Sequence, residues 1–343
     1  RAVALCDGVG FAVTAHGATL PTSGRIRLGG DGRAGQLHGV ILDRPEPDYA
    51  AMAAAGRCRI VLTSPGIFPA GWRLPGMATD GSLSLPGLRA RVLSGIVMVV
   101  VGAVAIALGG KVFAALALLV CAVMVWELAT MTADPTTNPS AALVLAGLAA
   151  LCLLAVFSFP WPMLLPLLVL PSVLIGLGPR REKPVAVAYA LLIMLTGFSL
   201  VKMRADHGLD AILWLVLVVI TSDLAGYFAG RILGGPKFWP AISPKKTWSG
   251  TVAGWIGAAL IGLGFYLAHH GGASLIWLSP LVAFAGQMGD IAESWIKRRT
   301  GIKDSSNLIP GHGGAMDRFD ALAGSAAFVL LLSMIVPLPI GGH

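Results

Sequence analysis

Charged residues are scarce in this chain. Asp, Glu, Lys and Arg make up 12% of its 343 residues, about half of the roughly 25% usual in soluble domains. The four cysteines are far apart and form no CxxC pair or Cys/His cluster, so nothing indicates a zinc site or a disulfide framework. Hydrophobic residues reach 56%, and they recur in runs of about 20, the length that crosses a bilayer. This composition excludes an ordinary soluble domain and predicts an all-α polytopic membrane protein.

Residues 1–76 lack such runs and predict a small soluble appendage, α/β or irregular, with a strand at RIVLT (59–63). Because Met77 opens an ordinary short leader, we divide the chain into residues 1–76 and 77–343. The chain starts at Arg1, and we expect its natural start to lie upstream. Residues 59–76, RIVLTSPGIFPAGWRLPG, resemble a backbone subunit of type III CRISPR effector complexes. Whether residues 1–76 are a fused, truncated or foreign segment stays open.

The apolar runs from residue 89 onward predict about nine transmembrane helices. Prolines cluster between several of these runs and support the breaks. The pair at 141–178 has an alternative, because FPWP (159–162) could instead be the kink of a re-entrant segment. The nine predicted spans are 91–109, 111–131, 141–158, 161–178, 184–202, 210–231, 249–268, 274–296 and 319–340.

The basic residues indicate an orientation for these nine spans. With residue 89 in the cytoplasm, 14 Lys and Arg fall on the cytoplasmic side and three on the other, as the positive-inside rule requires. Two polar loops, 231–250 and 297–318, then face the cytoplasm, and the C-terminus lies outside. We therefore expect a multi-pass protein of the bacterial inner membrane with its active site on the cytoplasmic side.

Acidic residues gather at membrane depth in the C-terminal half: Asp223, Asp290, Glu293 and Asp317, with Asp320 just inside the last span. An ionised side chain at mid-span costs about 2.5–3.5 kcal/mol, so such residues usually mark a function or a tight ion pair. Carboxylates beside a basic loop predict a divalent metal together with phosphate groups. The alternative is a plain ion pair between Asp290 and Lys297 or Arg298.

Two glycine- and lysine-containing loops supply the matching phosphate ligands. SPKKTWSG (243–250) contributes a lysine pair, which on its own could be a topology anchor. HGGAMDR (312–318) contributes paired glycines, which let backbone N–H groups approach a phosphate closely. We favour a role other than general base for His312, because a phosphate monoester nucleophile is already ionised at neutral pH.

The stretch SWIKRRTGIKDSSNLIPGHGGAMDRFD (294–320) resembles the signature of phosphatidate cytidylyltransferases, also called CDP-diacylglycerol synthases. That signature reads Ser-x-x-Lys-Arg, Lys-Asp, His-Gly-Gly and Asp-Arg-x-Asp, and every fixed element is present. The resemblance extends upstream through SDLAGYFAGR (222–231) and covers about residues 88–340.

The resemblance implies an enzyme that converts CTP and phosphatidic acid into CDP-diacylglycerol and pyrophosphate for phospholipid synthesis. It implies Mg²⁺ as cofactor, with K⁺ as a second candidate ion, and the lipid bilayer as a partner. No nucleic acid is expected for residues 77–343, and a homodimer is compatible with the sequence. The implied metal-binding residues are Asp290, Asp317 and Asp223. The implied catalytic residues are Asp290, Asp317, Lys297 and Arg318. The implied phosphate contacts are Lys245, Lys246, Ser249, Arg298, Lys303, His312, Gly313 and Gly314.

Two rival functions remain open. The first is another membrane phosphotransferase that uses a nucleotide- or prenyl-phosphate substrate, although the DGxxAR run of CDP-alcohol phosphotransferases is missing from the sequence. The second is a cation- or proton-coupled transporter. The acids gather near the C-terminal end rather than in both halves, which argues against an inverted-repeat transporter.

Overall fold

A computed structural model of the chain describes residues 2–6, 9–13, 58–62, 85–159 and 161–340. The chain forms two compact units, Arg1–Leu83 and Ser84–His343, and each is described by itself. The predicted boundary between residues 76 and 77 stays a prediction.

In the first unit, three strands form an antiparallel sheet in the order β2-β1-β3. The strands are β1 (Ala2–Cys6), β2 (Val9–Val13) and β3 (Cys58–Leu62). The strand predicted at 59–63 is confirmed to within one residue.

The second unit is helical apart from one two-stranded antiparallel hairpin. Its elements, in chain order, are α1 (Leu85–Leu108), α2 (Gly110–Met131), α3 (Ser140–Ser158), α4 (Leu170–Leu177), α5 (Lys183–Ile232), β4 (Lys237–Trp239), β5 (Ser243–Thr247), α6 (Trp248–Leu267), α7 (Leu275–Thr300) and α8 (Met316–Ser333).

Five of the helices in the described part of the chain are long and apolar enough to cross a membrane: α2, α3, α5, α6 and α7. Within α1, Val92–Leu108 is a shorter apolar stretch. Large apolar side chains on the outside of the bundle remain exposed, for example Val99, Leu151 and Leu267. Such a surface suits hydrocarbon rather than water. The chain is therefore a mostly helical, multi-pass membrane protein.

The predicted span at 161–178 does not form a spanning helix, so the count of nine is not confirmed. This part of the chain consists of two 3₁₀ turns, Trp161–Met163 and Leu165–Leu168, followed by the eight-residue helix α4. Proline lacks a backbone N–H and its ring clashes with the preceding turn, so it tends to kink or break a helix that precedes it. Pro166 and Pro171 each stand at the start of a short element, and they explain why the apolar run is broken.

Helix α5 contains two predicted spans, 184–202 and 210–231. Its 50 residues would extend about 75 Å if straight, more than twice the roughly 30 Å of the hydrocarbon core. Gly208 interrupts it with non-helical angles (φ 76°, ψ −159°). At this point His207 Nδ1 lies 3.1 Å from the carbonyl oxygen of Ile340, near the C-terminal end of the chain.

The start of α5 contacts the C-terminal end of α7, and the part of α5 after Gly208, its second arm, contacts the middle of α7. Glu182, just before α5, accepts a 2.7 Å hydrogen bond from Arg299. In the second arm of α5, the Ser222 hydroxyl accepts a 3.3 Å hydrogen bond from the side-chain amide of Gln287. The two arms are therefore antiparallel and the chain turns back at Gly208. Both polar loops, 234–247 and 301–315, lie at the end of the bundle to which these arms return, which we call the loop end.

Candidate active site

Three carboxylates meet where α7 and α8 cross. Asp290, Glu293 and Asp320 each place one oxygen atom within 4.8 Å of the others. The crossing is close because both helices carry glycine there. A Cβ built on Gly289 would lie only 3.0 Å from the Gly324 nitrogen, so any side chain would separate the helices. The glycine contact thus brings the three carboxylates together; we call them the carboxylate cluster.

The cluster fits a divalent cation. Glu293 is fully buried, and its one ionic partner among the described residues is Lys297, at Oε2. Buried carboxylates are costly unless they are paired or coordinate a metal. Oxygen ligands of this kind are those that hard cations such as Mg²⁺ prefer. The cluster can therefore hold a divalent metal ion, in agreement with the expectation of a metal cofactor.

Only one of the three predicted metal ligands is a member of the carboxylate cluster. Asp290 belongs to the cluster, but Asp223 and Asp317 are not among its three members. Asp223 lies exposed on the second arm of α5. The ligand set Asp223, Asp290 and Asp317 stays a prediction, whereas Glu293 and Asp320 enter the candidate site through the structure.

Lys297 links the cluster to Asp317. Its ammonium nitrogen lies 2.5 Å from Glu293 Oε2, one helical turn earlier on α7, and 2.7 Å from Asp317 Oδ1. The Glu293 and Asp317 side chains are only 1% and 5% exposed. One ammonium group therefore compensates two almost fully buried carboxylates.

Asp317 is held by backbone and side-chain donors as well as by Lys297. Its Oδ2 accepts hydrogen bonds from the Ser305 N–H (2.9 Å), the Ser305 hydroxyl (2.9 Å) and the Gly314 N–H (2.8 Å). Burial opposes ionisation, but the hydrogen bonds from Lys297 and from these backbone groups outweigh it and lower the pKa of Asp317 to about 2. Asp317 is therefore ionised at neutral pH and fixes the loop in front of α8.

The loop before α8 turns sharply at its glycines. Gly313 has φ +85°, a left-handed conformation that side chains disfavour. His312 is held from two directions: its Nδ1 lies 2.8 Å from the Ser94 hydroxyl, and its carbonyl oxygen accepts 2.8 and 3.0 Å hydrogen bonds from Arg318. Both ring and backbone of His312 thus have partners, which is consistent with a structural or phosphate-binding role.

We expect Gly314→Ala to disrupt this loop. A Cβ at Gly314 would collide with the Ser305 hydroxyl and with a carboxylate oxygen of Glu127, and overpacking of this kind typically costs about 1–3 kcal/mol. The variant should melt at a lower temperature than the wild type in detergent. Gly264→Ala, where a Cβ meets nothing within 4 Å, is the matched control. If Gly314→Ala melted at the same temperature as Gly264→Ala, the crowding at this loop would be refuted.

The hairpin β4–β5 reaches the cluster through one lysine. Lys246 forms an ion pair with Asp290 and donates a 3.3 Å hydrogen bond to the carbonyl oxygen of Gln287. Its neighbour Lys245 is exposed. Ser249 donates to the carbonyl oxygen of Gly234, within the same region of the chain. The structure thus brings Lys246 to the carboxylates and leaves Lys245 on the surface.

The other predicted phosphate contacts surround the cluster at the loop end. Arg298, Lys303 and Arg318 are all exposed, so an anion from water can reach them. Helix α7 ends in this region with Gly301 in a left-handed conformation (φ 76°), a common helix end. The assignment of these residues to phosphate stays a prediction.

One buried acid was missed at the level of sequence. Glu127 lies in the apolar helix α2 and is fully buried. Its position in a predicted span was itself a signal, because an ionisable residue at membrane depth usually has a function or a partner. The partner could not be named, since it lies about 180 residues away in the chain.

Residues 89–336 match the cytidylyltransferase family. Residues 1–111 match a CRISPR-associated protein family, Cas_Cmr3. A phosphatidate cytidylyltransferase of Brucella suis is 44% identical over 148 residues, which are 42% of this chain and 55% of the relative. Enzymes of the same name from Helicobacter pylori and Haemophilus influenzae are 39% identical over 127 residues and 38% over 131 residues. These two alignments each cover 36% of this chain, and 47% and 45% of the respective relative. The chain spans about half the length of the curated relatives it matches.

Proposed function

Because this chain belongs to the cytidylyltransferase family through residues 89–336, we propose that it transfers the cytidylyl group of CTP to phosphatidic acid. The products are CDP-diacylglycerol and pyrophosphate. The observation that carries the proposal is the carboxylate cluster of Asp290, Glu293 and Asp320, which lies directly beside Lys246 and Lys297. Carboxylates for a cation and ammonium groups for phosphates are what a reaction between two polyanions requires.

The reaction joins two anions. A phosphate oxygen of phosphatidic acid attacks the α-phosphorus of CTP, and the bond from that phosphorus to the bridging oxygen of the β-phosphate breaks. No proton needs to be removed from the attacking oxygen, because a phosphate monoester is ionised at neutral pH. Positioning and charge neutralisation therefore supply the catalysis. The proposed reaction therefore requires no general base at the attacking oxygen.

The cluster residues Asp290, Glu293 and Asp320 would hold the metal ion, for which we propose Mg²⁺. When bound, it neutralises phosphate charge and the charge that develops at the transferred phosphorus. Lys246 and Lys297 lie within contact distance of cluster members and would contact the phosphates. The exposed Lys245, Arg298, Lys303 and Arg318 would receive CTP from water.

The location of the site suits a lipid substrate. The cluster lies at the loop end of a bundle whose outer surface is apolar, so a lipid could keep its tails in the bilayer while its headgroup enters the site. We propose that the loop end faces the cytoplasm of a bacterial cell, as the excess of basic residues on that side favours. CTP would then reach the site from the side where it is made.

A direct assay tests the proposal. The full chain, purified in detergent and incubated with CTP, phosphatidic acid and Mg²⁺, should form CDP-diacylglycerol and pyrophosphate in equal amounts. Mass spectrometry of the lipid and a coupled pyrophosphate assay measure the two products. Chelation of the metal with EDTA, or omission of phosphatidic acid, should abolish both.

Each rival function has its own outcome in the same experiment. A folded chain that consumes a prenyl phosphate but not phosphatidic acid would be another phosphotransferase. Uptake of labelled cations into vesicles without any turnover of CTP would favour a transporter. Either result would overturn the proposed reaction.

A further inference from the structure

The side chain of the buried acid Glu127 forms its hydrogen bonds with the loop before α8. Its Oε1 accepts hydrogen bonds from the Ser306 hydroxyl (2.6 Å) and the Ala315 N–H (2.9 Å). Its Oε2 accepts one from the Met316 N–H (2.7 Å) and lies 3.1 Å from the Ser305 hydroxyl, whose one proton it shares with Asp317 Oδ2. Each oxygen thus has one hydroxyl partner and one backbone donor, and all four groups belong to residues 305–316.

Two of these donors are N–H groups at the start of a helix. Met316 is the first residue of α8 and Ala315 precedes it. The first N–H groups of a helix have no partner within the helix, and a negative charge near them is favourable. Ala315, at the capping position, has no side chain that could accept from these N–H groups. Glu127 therefore caps α8 from another helix.

The same loop is held on its other side by Asp317. The Ser305 hydroxyl lies 2.9 Å from Asp317 Oδ2 and 3.1 Å from Glu127 Oε2, so it stands between the two carboxylates. Gly314 fits between them because it lacks a side chain. Residues 305–316 are thus fixed between a carboxylate of the site and a carboxylate of α2.

We propose that Glu127 is a positioning residue for the reaction. It holds residues 305–316 so that Asp317 stays paired with Lys297 and so that the loop keeps its turn at Gly313. Glu127 contacts neither the carboxylate cluster nor Lys297 through any hydrogen bond or ion pair in the described part of the chain. This inference rests on the proposed function, but its effect on the loop can be measured without turnover.

Glu127→Gln in the full chain is the first variant. In glutamine, an NH₂ group replaces one of the two carboxylate oxygens of Glu127. The hydroxyl and the backbone N–H that faced this oxygen then lose their acceptor. We expect kcat to fall by roughly 10- to 100-fold, the usual cost of losing a residue that orients a site, with a smaller change in KM for CTP. Glu127→Asp keeps both acceptors on a shorter side chain and should regain part of kcat.

Hydrogen–deuterium exchange measures the loop directly. In Glu127→Gln, amides of residues 305–316 should exchange faster than in the wild type, while those of α3 should not change. Glu182→Gln is the matched control: it makes the same chemical change at the loop end, in an acid whose partner is the exposed Arg299, and should match the wild type in both measurements.

A second variant guards against loss of folding. Ser306→Ala removes the Ser306 hydroxyl and leaves Glu127 in place. It should lower kcat and speed up the exchange of the loop amides, both by less than Glu127→Gln does. In the double variant Glu127→Gln/Ser306→Ala, the loss of kcat should be smaller than the product of the two single losses, because the two groups act through one contact.

The outcomes separate the two proposals. If the wild type forms no CDP-diacylglycerol, the proposed function fails, and the exchange measurement still tests whether Glu127 holds the loop. If the wild type is active but Glu127→Gln retains its kcat, or exchange rises across all helices alike, Glu127 has no positioning role. Independent effects of Glu127→Gln and Ser306→Ala would overturn the proposal as well.

Discussion

Asp290→Asn is expected to reduce turnover by at least about a hundredfold. Removing a residue that only hydrogen-bonds to a metal ligand usually costs about 10- to 100-fold, and a proposed ligand itself should cost at least the upper value. Asparagine has one oxygen and no charge, so the carboxylate cluster loses a ligand oxygen and a negative charge that favours a cation. Lys246 loses its ionic partner at the same time. Initial rates of CDP-diacylglycerol formation at increasing Mg²⁺ concentration measure the effect, and more Mg²⁺ should restore only part of the rate.

Asp210→Asn provides the control for this experiment. Asp210 accepts a 2.8 Å hydrogen bond from His270, near the turn at Gly208 and away from the loop end. The same chemical change there should leave the rate and its Mg²⁺ dependence close to those of the wild type. Equal rates in Asp290→Asn and Asp210→Asn would refute a metal-binding role for Asp290.

Lys297→Met should have the largest effect on stability. Removal of the ammonium group leaves Glu293 and Asp317 buried close together without their shared positive partner. Breaking a buried pair by deleting one member typically costs about 3–5 kcal/mol. We expect a clear fall in the midpoint of thermal unfolding in detergent and little or no turnover, because the ammonium group is also a proposed phosphate contact.

Arg299→Met is the counterpart on the same helix. Arg299 pairs with Glu182, but the two side chains are 48% and 27% exposed, and exposed pairs contribute about 0–1 kcal/mol. Its unfolding midpoint should stay near that of the wild type. A Lys297→Met protein as stable as Arg299→Met would show that Lys297 does not compensate the buried carboxylates.

The sequence predicted most of the helices because each is a separate apolar run. It placed α2, α3 and α6 to within about one residue at each end. It failed at 161–178, where length and hydrophobicity matched a span but the prolines within the run did not permit one continuous helix. It separated 184–202 from 210–231, and the structure interrupts α5 between these two spans, at Gly208.

The candidate site was predictable in part for similar reasons. The motif residues Asp290, Lys297 and Asp317 lie on short, recognisable stretches, and the structure places them near one another. The membership of Asp320 in the cluster depends on how α8 crosses α7, which no periodicity within either helix reveals. Glu127 depends on a contact between residues almost 190 positions apart, which only the folded chain brings together.

The glycine contact between Gly289 and Gly324 has a consequence for how the protein adapts to different bilayers. When lipid length changes, spanning helices adjust mainly by tilting. When α7 and α8 tilt relative to each other, the distance between them changes least at the glycine contact and most at their ends. Asp290 immediately follows Gly289, so its distance from Asp320 should vary little between thin and thick bilayers. We therefore expect the geometry of the carboxylates to tolerate a wide range of acyl-chain lengths in the surrounding membrane.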